Sequence, residues 1–189
     1  MNLANPYINP APKKDITSIL EIRCNLICPK SMTTKPLIKT NAEVEKLLGN
    51  IKTLITRDKK NRQLMTVSDI NGKKAITNYK TIKVFNIKDI PKISLIECEL
   101  ETGRTHQIRV HLKYKGTSIL GDKQYGKKNV KFKKINNEFF VKLNKLSGQA
   151  LHAKTLEFSH PETKKWMSFD SDLPNEFKKL LNLLEKLSS

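Results

Sequence analysis

The chain has 189 residues, of which 38% are hydrophobic, and its 36 basic and 18 acidic residues give a formal net charge of +18. No run of about 18 apolar residues and no basic-then-apolar start occurs, so we expect neither a membrane helix nor export, but a cytoplasmic protein. Three cysteines are too few for a disulfide scaffold, and Cys24 and Cys28 lack a second pair of ligands, so no metal site is expected. The positive charge favours a nucleic-acid partner, although 31 of the 36 basic residues are lysines.

Residues 1–48 differ in composition from the remainder of the chain. Five prolines are scattered through them, and prolines at this density interrupt both helices and central strands. Residues 41–48 could form a short helix that ends at Gly49. We therefore predict an irregular N-terminal segment over 1–48.

From residue 49 the periodicity becomes regular. Alternating or β-rich runs predict strands at 51–56, 63–68, 74–85 and 93–101, and a hairpin from 151–158 and 165–169. A helix is expected over 105–115, ending at Gly116, and a second one after Pro174, capped by Ser171 or Asp172. Trp166 is expected in the core. The lysine-rich stretch 127–145 is interleaved with phenylalanines, which fits contacts with RNA and a solvated loop or helix with a hydrophobic anchor equally well.

Residues 102–111 read Thr-Gly-Arg-Thr-His-Gln-Ile-Arg-Val-His and combine two arginines, two histidines and a glutamine. The run follows a predicted strand, so the polar side chains should lie at a helix N-terminus. That end of a helix carries positive partial charge, to which Arg104 adds. We therefore expect an anionic group nearby, either an RNA phosphate or a carboxylate from elsewhere in the protein.

The ordered series formed by 103–109, 121–126 and 151–161 resembles the C-terminal part of the catalytic domain of RluA-type pseudouridine synthases. These enzymes isomerise uridine in large-subunit rRNA and some tRNAs. The resemblance runs from residue 49 to about 181, and we find none in 1–48. It implies an α+β fold for 49–189, with a mostly antiparallel mixed sheet and a few flanking helices. It also implies RNA as partner, rRNA before tRNA, and no cofactor.

Two motifs of that family are absent from the sequence. One is the His-Arg-Leu-Asp segment that carries the nucleophilic aspartate, and the other is a Lys-x-Tyr-x-Ala segment with a base-stacking tyrosine. Asp58 alone among the seven aspartates follows an arginine, but the remainder of the motif is missing there. Three interpretations remain open: a truncated or split synthase that needs an upstream fragment, a catalytically inactive RNA-binding remnant, and a decaying product without a stable fold.

The resemblance also implies roles for individual residues. Arg109, and after it Arg104, would be the basic partner of the missing aspartate, because a guanidinium matches carboxylate geometry. The predicted pocket residues are His106, Gln107, Leu151 and His152. The predicted RNA contacts are Arg57, Arg62, Lys113, Lys115, Lys123 and Tyr125.

Overall fold

The structure is a computed structural model that describes residues 31–39, 48–88, 91–126, 136–146 and 148–188. The elements in chain order are β1 (Ser31–Lys39), β2 (Leu48–Arg57), β3 (Met65–Ser68), β4 (Lys73–Phe85), β5 (Ile93–Leu100), α1 (Gln107–Tyr114), α2 (Asn137–Lys145), β6 (Leu151–Ser159), β7 (Trp166–Asp170) and α3 (Asn175–Leu187). The strands form one sheet in the order β3-β2-β4-β5-β1-β6-β7, and every pairing is antiparallel. The predicted α+β fold with a mostly antiparallel sheet is confirmed.

Strand β1 differs from the irregular segment predicted for residues 1–48. It lies inside the sheet, where Thr34 is opposite Cys98 of β5 and Ala153 of β6. Met32, Leu37 and Ile38 of this strand are buried. Pairing on both sides and burial outweigh the local effect of the nearby prolines, and such tertiary effects are what strand propensity cannot anticipate. Most of the helix expected over 41–48 lies outside the described residues, and Leu48 already belongs to β2.

Side chains from all three described helices join one hydrophobic core against the sheet. Ile108 and Leu112 of α1 lie in the same cluster as Phe139 of α2 and Leu180 and Leu184 of α3. Burial of each such side chain contributes about 1.5–3 kcal/mol to the stability of the folded state. The helix predicted after Pro174 is present as α3, and its Leu180 and Leu184 are fully buried. The cap predicted at Ser171 or Asp172 is wrong, because Pro174 is the N-cap residue and the helix has no side-chain cap hydrogen bond.

A smaller apolar cluster attaches α1 to the β2–β3 hairpin. Ile55, Ala75, Val110 and Tyr125 are buried there, and Met65 of β3 packs against them. This cluster brings the hairpin, the start of β4 and the segment after α1 together at one place. It therefore positions most of the residues that the sequence marks as functional.

Two expectations about aromatic residues have different outcomes. Trp166 is 50% exposed, so its predicted place in the core is wrong, because it lies on β7, the edge strand of the sheet. Phe139 is fully buried in α2, which fits a helix with a hydrophobic anchor for that part of the lysine-rich stretch. Residues 127–135 lie outside the described part of the chain. None of the described helices is long and apolar enough to cross a membrane.

Candidate active site

The turn between β5 and α1 is shaped by its backbone and by a buried glutamine. His106 precedes the helix in the left-handed region, with φ of 56°, and α1 begins at Gln107. The polar cluster therefore lies at a helix N-terminus, as predicted. A left-handed histidine is an uncommon conformation that the surrounding contacts must support.

Gln107 is 3% exposed and uses both ends of its amide. Its Oε1 accepts hydrogen bonds from Thr102 Oγ1 at 2.8 Å and from the Arg104 backbone N–H at 3.0 Å. Its Nε2 donates to the Ile76 carbonyl at 2.9 Å and to Thr77 Oγ1 at 3.0 Å. The two bonds to Oε1 hold the backbone and Thr102 of the turn, and the two from Nε2 attach Gln107 to β4, so Gln107 holds the turn against the sheet.

Arg104 extends from that turn along the beginning of β4. Its Nε donates to the Lys74 carbonyl at 2.9 Å, and its backbone N–H is held by Gln107. The side chain is half-buried. One edge of the guanidinium is thus anchored to the sheet, and the hydrogen bonds described for Arg104 do not involve its terminal Nη groups.

Arg109 makes a buried ion pair with Asp122. Its Nε donates to Asp122 Oδ2 and its Nη2 to Oδ1, both at 2.8 Å, and the two residues are 7% and 5% exposed. Nη2 also donates to Gln124 Oε1 at 2.8 Å. Asp122 is thus a carboxylate that pairs with Arg109 of α1, and its described hydrogen bonds include none to Arg104.

The environment of Asp122 keeps it ionised. Burial by itself raises the pKa of its carboxyl group, but the hydrogen bonds from Arg109 and from two backbone N–H groups outweigh burial and hold the pKa below the ordinary value of 3.8. Those N–H groups belong to Gln124 and Tyr125, each 3.0 Å from Oδ1. The carboxylate thus accepts four hydrogen bonds and organises the segment after Gly121.

Tyr125 is buried and links three parts of the site. Its hydroxyl accepts a hydrogen bond from the Met65 backbone N–H at 2.8 Å and shares a second hydrogen bond with His106 Nδ1, also at 2.8 Å. The Arg109 guanidinium and the Lys113 ammonium lie 4.7 Å and 5.6 Å from its ring centroid. With 4% exposure, Tyr125 offers an RNA backbone little surface, and in this structure it fixes His106 instead.

His111 was not predicted as a site residue, although it completes the same network. Its Nδ1 is 2.9 Å from Thr77 Oγ1 and its Nε2 is 2.9 Å from Thr53 Oγ1. Burial lowers the pKa of its imidazole from 6.5 to about 4, so the ring is neutral near pH 7. His111 therefore joins α1 to β2 and β4 as an uncharged hydrogen-bonding group.

Asp122 was also missed, although it lies in one of the three segments that carry the resemblance. The signal that could have identified it is chemical: a buried arginine needs a carboxylate, and Asp122 is the only acidic residue in 121–126. The spacing along the sequence alone could not pair it with Arg109.

Leu151 and His152, predicted as pocket residues, lie on β6. Leu151 packs against the main core, and His152 Nε2 is 2.9 Å from the Ser171 carbonyl. These contacts connect them with the core and with the segment before α3. Their described contacts include none to Arg104 or Arg109.

The predicted RNA contacts Arg57, Arg62, Lys113 and Lys123 are exposed, and Lys115 is half-buried. Arg57 ends β2 and Arg62 lies in the β2–β3 connection, and Arg57 Nη1 donates to the Arg62 carbonyl at 3.0 Å. Asp58 is occupied in that turn, since its Oδ1 accepts from the backbone N–H groups of Lys60 at 2.8 Å and Asn61 at 2.9 Å. No group of three or more His, Cys, Asp and Glu side chains in the described residues could hold a metal ion.

Comparison with known proteins identifies a family that the chain resembles in sequence. The family model described as RNA pseudouridylate synthase matches residues 26–114. "Uncharacterized RNA pseudouridine synthase YlyB" of Bacillus subtilis is 37% identical over 183 residues, covering 92% of this chain and 54% of that protein. "Ribosomal large subunit pseudouridine synthase D" of Zymomonas mobilis is 41% identical over 139 residues, covering 73% of this chain and 41% of that protein. The chain belongs to the RluA-type pseudouridine synthase family.

Solved structures support the same fold for this family member. "Human RNA Pseudouridylate Synthase Domain Containing 4" aligns with a TM-score of 0.60 at 22% identity, covering 82% of this chain and 62% of that one. "Human RNA Pseudouridylate Synthase Domain Containing 1" aligns with a TM-score of 0.58 at 18% identity, covering 82% and 65%. The chain spans only about half of the Bacillus relative and less of the Zymomonas one. The family match starts at residue 26, so it includes part of the segment 1–48, for which no resemblance was expected.

Proposed function

We propose that this chain supplies the basic part of an RNA pseudouridine synthase site, with large-subunit rRNA as the first candidate substrate and tRNA as the second. The observation that carries this proposal is the anchored turn 102–107, in which Gln107 fixes the backbone and Arg104 keeps its Nη groups outside the described network. The names of several relatives support ribosomal RNA as the substrate. We expect the reaction to take place in the cytoplasm and to require no metal or cofactor.

In the family reaction an aspartate attacks the nucleoside, the base detaches from the ribose, rotates and is rejoined through carbon 5. The 189 residues contain no His-Arg-Leu-Asp segment. Asp58 is bound into a turn and Asp122 is paired with Arg109, so neither is available as a substitute. We therefore infer a split or truncated form, in which a separate upstream fragment provides the aspartate and the tyrosine.

Arg104 is the better placed of the two arginines to meet that aspartate. Arg109 already forms two hydrogen bonds to Asp122 and a third to Gln124. Recruiting Arg109 would leave the buried Asp122 uncompensated, which costs several kcal/mol. Arg104 requires no such exchange, so we place it ahead of Arg109 as the group that keeps the aspartate ionised and oriented.

Reconstitution tests this assignment. The chain would be co-expressed with an upstream synthase fragment that contains His-Arg-Leu-Asp, and pseudouridine in 23S rRNA would be mapped by carbodiimide labelling and primer extension. We expect modification to appear, and Arg104→Gln to lower its rate roughly 100-fold or more, as for loss of a preorganised charge. Lys178→Gln, an exposed change on α3, is the matched control. Tight association of the two fragments without modification would count against the proposal.

An RNA-binding protein without catalysis is the second candidate. The observation that favours it is the internal Arg109–Asp122 pair, which neutralises Arg109 without a carboxylate from an upstream fragment. It predicts rRNA binding that weakens steeply with salt, together with no product in the reconstitution assay. Product formation would exclude it.

A further inference from the structure

The connection between β3 and β4 presents an isoleucine almost entirely to solvent. Ile70 is 94% exposed, the highest value among the described large hydrophobic side chains, and Leu48 follows at 67%. Exposed apolar side chains are common on protein surfaces, so exposure alone has no functional meaning. A functional role for Ile70 has to follow from the residues around it.

The backbone of this connection is held in one conformation. Ser68 Oγ accepts hydrogen bonds from the Ile70 and Asn71 N–H groups, both at 3.3 Å, and donates to Asn71 Oδ1 at 3.1 Å. Gly72 has φ of 137°, and a Cβ there would come within 2.8 Å of the Ile55 carbonyl oxygen. The connection thus crosses closely over β2. Ile70 is therefore exposed on a turn whose backbone is held by hydrogen bonds and by close packing on β2.

The turn is close in sequence to a residue that contacts Arg104. Ile70 is four residues from Lys74, whose carbonyl accepts the Arg104 Nε hydrogen bond at 2.9 Å. Four residues span at most about 14 Å of extended chain, which limits the separation of Ile70 from this contact. Lys73 and Lys74 are exposed in the same stretch and outnumber Asp69. An RNA strand that delivers a nucleoside to Arg104 would therefore pass close to the turn.

We propose that Ile70 is an apolar wedge that enters the RNA base stack next to the nucleoside bound at Arg104. The inference rests on the proposed function for RNA as the ligand and goes beyond it by assigning the unstacking step to a residue. A base that is to be isomerised must first leave its stack. Proteins that open a stack insert isoleucine, leucine, methionine or phenylalanine side chains, and the contacts of the inserted side chain offset part of the unstacking cost.

The test uses full-length 23S rRNA transcript as the probe and needs no catalysis. Binding is measured by filter retention, and unstacked nucleotides are mapped by 2′-hydroxyl acylation with and without protein. We expect wild-type protein to raise reactivity at discrete nucleotides and Ile70→Ala to lose this increase. Its Kd should stay within about threefold, because the lost contact and the avoided unstacking offset each other. Ile82→Ala, 45% exposed near the other end of β4, is the control and should behave as wild type.

The outcomes separate the two proposals. If the wild-type protein fails to bind the rRNA even at low salt, the proposed function fails, and the wedge with it. If the protein binds but Ile70→Ala gives the wild-type reactivity pattern, or wild type raises no reactivity, the wedge alone is overturned. Unchanged thermal unfolding of Ile70→Ala will establish that a lost signal is not caused by misfolding.

Discussion

At the scale of single residues, the Arg109–Asp122 pair is the interaction on which the local structure depends most. Both side chains are buried, and the carboxylate also holds two backbone N–H groups. Removing one member of such a pair leaves an uncompensated buried charge. We predict that Asp122→Asn lowers the free energy of unfolding by about 3–5 kcal/mol, measured by urea denaturation.

An exposed ion pair provides the control for that measurement. Lys179 and Glu176 lie 2.7 Å apart on α3, with side chains 60% and 41% exposed. Lys179→Ala should change stability by less than about 1 kcal/mol, because water screens this pair. If the two variants lose similar stability, the special role of the buried pair is disproved.

His111 makes the stability of the fold depend on pH. Its folded pKa of about 4 lies below the ordinary 6.5, so between these values the unfolded chain binds the proton more readily. The stabilisation that comes from the neutral His111 ring amounts to roughly 3 kcal/mol. It is complete above pH 6.5 and is lost as the pH falls toward 4. His111→Gln should flatten this part of a stability–pH profile obtained by urea denaturation. A variant with the wild-type slope would show that other groups cause it.

At the scale of elements, the segment after α1 depends on a glycine that brings it close to the start of β6. Gly121 has φ of 76°, and a Cβ there would approach the Gly148 carbonyl oxygen to 2.7 Å. Gly121→Ala should therefore cost about 1–3 kcal/mol through strain and displacement of Asp122. Gly148→Ala is the matched control, since its Cβ would meet nothing within 4 Å and should change stability by less than about 0.5 kcal/mol. Equal effects in thermal unfolding would argue against this close approach.

At the scale of the whole molecule, the net charge of +18 raises the question of which basic residues contact RNA. Arg57 and Arg62 are exposed together beside the site. We predict that replacing both by glutamine reduces the slope of log K against log salt by about 1.5–2 for rRNA binding, because two phosphate contacts are lost. The double change Lys178→Gln and Lys179→Gln on α3 removes the same charge and should leave the slope almost unchanged. Equal slopes would mean that only the total charge matters.

Local patterns predicted most of the elements correctly. The alternation in 93–101 and the helical spacing of Ile108 and Leu112 correspond to β5 and α1, because each pattern repeats with the period of its own element. Local patterns failed where the pairing between strands determines whether a residue is buried. Residues 31–39 form an internal strand despite Pro36 because β5 and β6 both pair with them, and Trp166 is exposed because β7 is an edge strand.

For the site, the sequence by itself determined the chemistry: the family, the polar turn at a helix N-terminus, the need for an anionic partner, and the absence of the His-Arg-Leu-Asp segment. Only the tertiary structure decided which groups meet. Asp122 lies 13 residues from Arg109 and Gln107 lies 31 residues from Ile76, yet each pair shares a hydrogen bond. Residue types and periods are properties of the chain, whereas burial and pairing arise only when distant segments pack, and here packing pairs Arg109 with Asp122.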